Sequence, residues 1–129
     1  MSAIGALATF VGGGAGATCR YGAGRVLARW YRGTFPLGTF AINASGCFAL
    51  GMVASLLAAL HRDTAVATAL LATGFLGGYT TFSTYALEGV LLAEGGRGPL
   101  AAANLVGSVL IGLGAAALGA GLAALIAAG

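Results

Sequence analysis

Four long apolar stretches, divided by short polar loops, make up almost all of this 129-residue chain. They run from about Ala3 to Ala28, Leu37 to Leu60, Ala65 to Leu92 and Leu100 to Ile126. A helix of about 20 apolar residues crosses the roughly 30 Å hydrocarbon core of a bilayer. Only 7% of the residues are charged, against about 25% in soluble domains. That leaves too little polar surface to cover a soluble core. The expected fold is all-α: one integral membrane domain over residues 1–129, a bundle of four transmembrane helices. The expected location is the inner (plasma) membrane, crossed several times.

The loops support this division. Arg29-Trp30-Tyr31-Arg32-Gly33 is an aromatic and basic cluster suited to the membrane interface. Pro36 opens the second span, where a missing N–H costs nothing. His61-Arg62-Asp63-Thr64 and Glu94-Gly95-Gly96-Arg97-Gly98-Pro99 are the other two loops. The amino terminus lacks a basic leader region, so its apolar run is read as a mature first span rather than a cleaved signal. Arg29, Arg32 and Arg97 fall on one side, with Arg25 close by, and Arg62 on the other. This slight excess fits either one orientation or insertion in both. Loops this short, joining a thin bundle, point to oligomerisation. Net charge is +3, with no basic stripe and no aromatic platform, so nucleic acid is not an expected partner.

One segment does not suit a plain spanning helix. Gly74-Phe75-Leu76-Gly77-Gly78-Tyr79-Thr80-Thr81-Phe82-Ser83-Thr84-Tyr85 is rich in glycine and hydroxyls at membrane depth. Irregular backbone is tolerated there only when buried in protein or lining a pathway. Gly77-Gly78 permits a break in the third helix. Freed carbonyls would suit a cation and half-helix N-termini an anion. Alternatively, Thr80, Thr81, Ser83 and Thr84 hydroxyls satisfy a packing kink.

Other polar groups stand out against the apolar background. Phe82 and Tyr85 are three apart and share a helix face, as core aromatics or as ring edges facing a path. Asn43, one turn after Thr39, is either interhelical glue or a donor to an anion. Asn104 and Ser108 are four apart, and Gly112 and Ala116 continue their stripe. Arg20 lies deep in the first span, where an arginine costs about 2.5–3.5 kcal/mol on insertion scales. It is either a vestibule charge or the partner of Glu88, the sole acid within a span. Cys19 and Cys47 read as small buried hydrophobes. Gly12-Gly13-Gly14-Ala15-Gly16 lacks the lysine and the context of a phosphate loop and reads as packing. No nucleophile, base and acid stand together, so an enzyme is not expected.

In order along the chain, Gly16-Ala17-Thr18-Cys19-Arg20-Tyr21, Gly38-Thr39-Phe40-Ala41-Ile42-Asn43-Ala44-Ser45-Gly46 and Gly77-Gly78-Tyr79-Thr80-Thr81-Phe82-Ser83-Thr84-Tyr85 resemble the first three helix motifs of the Fluc/CrcB fluoride channels. The resemblance implies an antiparallel, dual-topology homodimer with two fluoride pathways. It implies that the edges of Phe82 and Tyr85 meet fluoride and that Asn43 donates to it. Ser83, Thr84 and Ser108 match polar positions near the pathways, and Arg20 matches the vestibule arginine. The carbonyls of Gly77 and Thr80 match those that hold a structural sodium ion at the dimer centre. Two departures bear on the lining. Tyr85 stands where the family usually has phenylalanine, and Gly112 and Ala116 stand where it often has polar residues.

The residues make chemical sense of such a function. Fluoride is small and strongly hydrated, so a pore must replace its water with donors. Asn43, hydroxyls and ring edges are donors without fixed charge, and conduction requires binding weak enough to leave. No nucleotide site or carboxylate pair suggests energy coupling, so passive export is the expected mechanism. The alternative is a small four-helix, proton-coupled exporter of toxic cations. That class needs an acid embedded in the first span, which this chain lacks.

Overall fold

Residues 2–60 and 64–129 are described by a computed structural model, and every regular element among them is helical. His61, Arg62 and Asp63 of the second expected loop lie outside the described residues. Ser2 opens α1 (Ala3–Trp30): its hydroxyl accepts from the Gly5 N–H at 3.1 Å. That bond satisfies one amide that a helix start leaves free. Pro36 precedes α2 (Leu37–Ala59). Thr64 caps α3 (Ala65–Thr68), accepting from the Ala67 N–H at 3.1 Å.

α3 runs into a π-helical segment, Ala69–Leu76, and then into a single turn, α4 (Gly77–Tyr79). α5 (Phe82–Glu94) follows after two extended residues. Gly96, at φ 71, takes the left-handed conformation that lets a chain leave a helix end. α6 (Gly98–Ala128) then begins with Pro99 in its first turn.

Among the described residues, three stretches are long and apolar enough to cross a membrane: Leu37–Ala59, Ala65–Glu94 and Gly98–Ala128. The protein is therefore a multi-pass membrane protein. α1 has the length, since its 28 residues span about 42 Å at 1.5 Å each. Its many glycines, Thr9, Thr18 and Arg20 make it less apolar than the other three.

Two seams of small residues hold the chain together. α1 packs on the π segment and α4, and α2 packs on α6. A Cβ added at Gly12 would strike the Leu70 carbonyl, one at Gly16 the Phe75 carbonyl, and one at Gly78 the Gly13 carbonyl. Across the second seam, Gly51 meets the Ala116 backbone and Gly119 the Phe48 backbone. Backbones this close gain van der Waals contact, which replaces the hydrophobic drive that lipid removes. The glycine run in α1 is thus packing surface, and Ala116 serves the α2–α6 seam. Cys19, expected to be buried, is exposed on this chain, and Cys47 is half-buried against Gly112.

Gly16→Val is expected to lower the stability of the detergent-solubilised protein by about 1–3 kcal/mol, the usual cost of overpacking. Gly14→Ala, whose Cβ meets nothing within 4 Å, should leave it unchanged or slightly higher. Thermal melting of the two variants side by side measures the difference.

Candidate functional site

The segment singled out by its glycines and hydroxyls leaves helical geometry at its threonines. Thr80 is extended at ψ 164, and Thr81 follows at φ −148 and ψ 118. Gly77, by contrast, is helical at φ −63 and ψ −37. The sequence pointed to Gly77-Gly78 as the place for a break, and the structure corrects that by three residues. β-branched threonines accept extended backbone readily. Gly78 instead serves close approach to α1.

Interrupting a helix at membrane depth frees amides and carbonyls that must find partners, and here side chains supply them. Asn43 of α2 makes a reciprocal pair with Thr81: its Nδ2 donates to the Thr81 carbonyl at 3.0 Å, and its Oδ1 accepts from the Thr81 N–H at 2.9 Å. Arg20 of α1 donates to the Thr80 carbonyl at 3.0 Å. The Thr80 hydroxyl donates back to the Leu76 carbonyl at 3.0 Å. The Thr81 hydroxyl accepts from the Thr84 N–H at 3.3 Å and so caps α5. It also meets the hydroxyls of Thr84 at 3.0 Å and Ser83 at 3.4 Å.

Thr81 enters the sequence reading only as one of the hydroxyls that satisfy a packing kink, not as a site residue. The signal for it was there: Thr81-Phe82-Ser83-Thr84 reads as a hydroxyl N-cap opening a new helix.

Beside the break lies a groove of about 370 Å³. It brings together Asn43, Gly77, Thr80, Phe82, Tyr85 and Ser108, which come from α2, α4, α5, α6 and the break itself. Cys47, Leu50, Leu76 and Val109 give it an apolar wall. Phe82 is 79% exposed, so this chain's own core does not hold the ring. The Phe82 and Tyr85 ring centroids are 5.6 Å apart with the planes tilted by 53°. The Ser108 hydroxyl is buried and has no protein partner among the described residues. Asn43 keeps a second amide hydrogen beyond the one given to Thr81. The groove thus brings the Asn43 amide and positive ring edges to largely apolar walls, with the unpaired Ser108 hydroxyl just beneath them. Such a surface can strip water from a small anion without trapping it on a charge.

A family model described as "CrcB-like protein, Camphor Resistance (CrcB)" matches residues 7–120, every one of these groove residues included. This chain belongs to the CrcB family. It is 47% identical over 115 residues to "Fluoride-specific ion channel FluC 1" of Brucella melitensis, covering 88% of this chain and 94% of the relative. It is 44% identical over 125 residues to "Fluoride-specific ion channel FluC 2" of Yersinia pseudotuberculosis, covering 95% of this chain and 99% of the relative. A "Fluoride-specific ion channel FluC" of Rhizobium leguminosarum is 42% identical over 120 residues.

Not every candidate in this CrcB chain reaches the groove. Ser83 and Thr84 are exposed and belong to the cap of α5. Arg20 is half-buried at the back of the break rather than among the groove residues. It does not pair with Glu88. Glu88 Oε1 instead accepts from the Thr39 hydroxyl at 2.9 Å. Glu88 lines a second hollow of about 330 Å³ with Arg97 and the 33–36 turn. Gly112 and Ala116 are spent on packing against α2. Of the expected fourth-helix stripe, only Ser108 opens to the groove.

Proposed function

We propose that this protein is a fluoride-selective channel that lets fluoride leave the cell passively across the inner (plasma) membrane. The observation that carries the reading is the groove itself. Asn43, Ser108, Phe82 and Tyr85, from three different helices, converge on one hollow beside an interrupted helix. Each offers a hydrogen or a positive edge, and none carries a fixed charge. In this reading the chain spans the membrane four times, α1 included, with its third span broken at Thr80-Thr81. Two copies assemble antiparallel, in dual topology, with two pathways. A second copy would cover the open side of the groove and the exposed Phe82 ring. Ser83 and Thr84 take part by setting the start of α5. Arg20 raises the local anion concentration from behind the break. The relatives named as fluoride-specific ion channels support the choice of ion.

Fluoride would enter from water, exchange hydration for the Asn43 amide hydrogen and the Ser108 hydroxyl, and pass the edges of Phe82 and Tyr85. The apolar wall keeps other water out and strengthens these weak contacts. A fixed positive charge among the groove residues would hold the ion too long for conduction. Glu88 is held by Thr39 away from these residues. This gives the proton-coupled exporter reading no support.

Sodium fits the donor chemistry of the break. The carbonyls of Gly77 and Thr80 are hard oxygen donors, and both residues border the groove. Thr80 turns out of the helix ladder and still has a lone pair beyond the one given to Arg20. Each copy would contribute these two oxygens at the dimer centre. A bound ion would tie the two breaks together as a structural bridge. Replacing sodium by N-methylglucamine is then expected to lower both the melting temperature of the purified dimer and its fluoride flux, and potassium should restore neither fully. Equal melting curves in the two cations would remove the sodium bridge.

A growth assay tests the export reading. Bacteria lacking their own fluoride export should grow in millimolar fluoride at acidic pH only when they express this chain. Hydrogen fluoride enters such cells and dissociates inside. Equal growth with and without the chain, at matched expression, would contradict the reading.

A further inference from the structure

Tyr85 is bonded to α6 from two sides. Its hydroxyl donates to the Leu105 carbonyl at 2.8 Å, and its own carbonyl accepts from Asn104 Nδ2 at 3.2 Å. Asn104 and Leu105 are adjacent, so both bonds land on one turn of α6. The helices are close at this level, since a Cβ on Gly89, one turn beyond Tyr85, would press into the Leu105 side chain. A carbonyl has two lone pairs, so each oxygen can serve its own helix and its neighbour together.

Asn104 is 0% exposed, and its Oδ1 is buried with no protein partner among the described residues. An unpaired buried acceptor lowers stability, and the Tyr85 carbonyl that Asn104 serves lies inside α5, where the helix ladder still supplies a partner if Asn104 is lost. Leucine matches the branched outline of asparagine. Stability alone therefore does not account for an asparagine here. What the side chain does contribute is one donated bond, placed on the backbone of the residue whose ring faces the groove.

We propose that Asn104 and the Tyr85 hydroxyl are positioning groups that clamp α5 to α6 and set the edge of the Tyr85 ring in the groove beside Phe82. The inference rests on the reading of Phe82 and Tyr85 as the ring edges that meet fluoride. The tyrosine hydroxyl is spent on the Leu105 carbonyl, so the ring meets the ion by its edge and the hydroxyl is no part of the filter. A phenylalanine at the same place would keep the Asn104 bond to its carbonyl and lose the bond from the ring to α6.

Three readouts test the clamp: fluoride and chloride efflux from proteoliposomes, thermal melting, and fluorine NMR of 3-fluorotyrosine-labelled protein. The Tyr85 signal is assigned by its loss in Tyr85→Phe. Asn104→Leu should melt at or above the parent temperature yet pass fluoride about fivefold to tenfold more slowly. Tyr85→Phe should slow fluoride about fivefold without admitting chloride. The double variant should be no slower than the slower single variant, because both changes release the same ring. In the NMR arm, the Tyr85 signal should be split by slow ring reorientation in the parent and merged in Asn104→Leu. Asn104→Ala provides the same comparison where leucine overfills the site. Flux and stability falling together in both Asn104 variants would make the residue structural and overturn the proposal. Chloride leak in Tyr85→Phe would overturn it by placing the hydroxyl in the filter. So would unchanged flux in Asn104→Leu, or an unchanged Tyr85 signal. A parent protein that passes no fluoride would sink the channel reading, and the NMR comparison would then decide the clamp by itself.

Discussion

Phe82→Ile is expected to slow fluoride efflux by roughly tenfold to a hundredfold while the protein still purifies in the parent's oligomeric state. Isoleucine keeps the apolar character but has no positive ring edge to offer an anion. Contacts to a charged group are worth about 1.5–3 kcal/mol, and each 1.4 kcal/mol is a decade. That sets the range. The fold of the single chain should change little, because Phe82 is 79% exposed on it. Stopped-flow or electrode measurement of efflux, with gel filtration of the same preparation, checks both halves. Flux equal to that of the parent would remove the ring edge from the mechanism.

Asn43→Leu should fail differently, losing stability and flux together. Its two bonds serve the N–H and the carbonyl of Thr81, which lies outside any helix ladder. Leucine has the same shape but would leave both backbone groups unpaired. At about 1–3 kcal/mol for each orphaned group, the expected loss is about 2–6 kcal/mol. Flux should vanish with the break that Asn43 holds open. Asn43→Asp sharpens the reading. A carboxylate keeps the bond from the Thr81 N–H but brings a negative charge to the groove. It should retain more stability than Asn43→Leu and still pass little fluoride. If Asn43→Leu melts like the parent, the reciprocal pair is not what supports the break. Asn104 reaches a carbonyl within a helix, whereas Asn43 reaches backbone that has left one.

The all-helical fold was legible from the apolar runs, because helices satisfy their own backbone in lipid. The region of the helix break was legible too, from glycine and hydroxyl residues at membrane depth. Where the helix lets go was not. Glycine announces freedom of the backbone, yet here Gly12, Gly16 and Gly78 are used for contact between helices. The break falls where Thr80 and Thr81 find partners in Arg20 and Asn43. Those partners lie 60 and 38 residues away in sequence, a distance that local periodicity does not span. For the same reason the fate of Tyr85 and Arg20 could not be read ahead. The sequence allowed Arg20 to pair with Glu88, and only packing shows each of them bonded elsewhere. Asn43 and Ser108 were visible as polar residues in apolar helices. That they meet Phe82 and Tyr85 in one groove is a fact of assembly rather than of any single segment.

Fluoride release from liposomes tests the central claim most directly. Purified protein is reconstituted into vesicles loaded with potassium fluoride or potassium chloride, diluted into sodium isethionate, and opened with a potassium ionophore. A fluoride or chloride electrode follows the external anion. The account predicts rapid fluoride release, far above protein-free vesicles and with no pH gradient applied, and chloride release at the protein-free rate. Fluoride release no faster than from empty vesicles, with the protein folded and inserted, would contradict it.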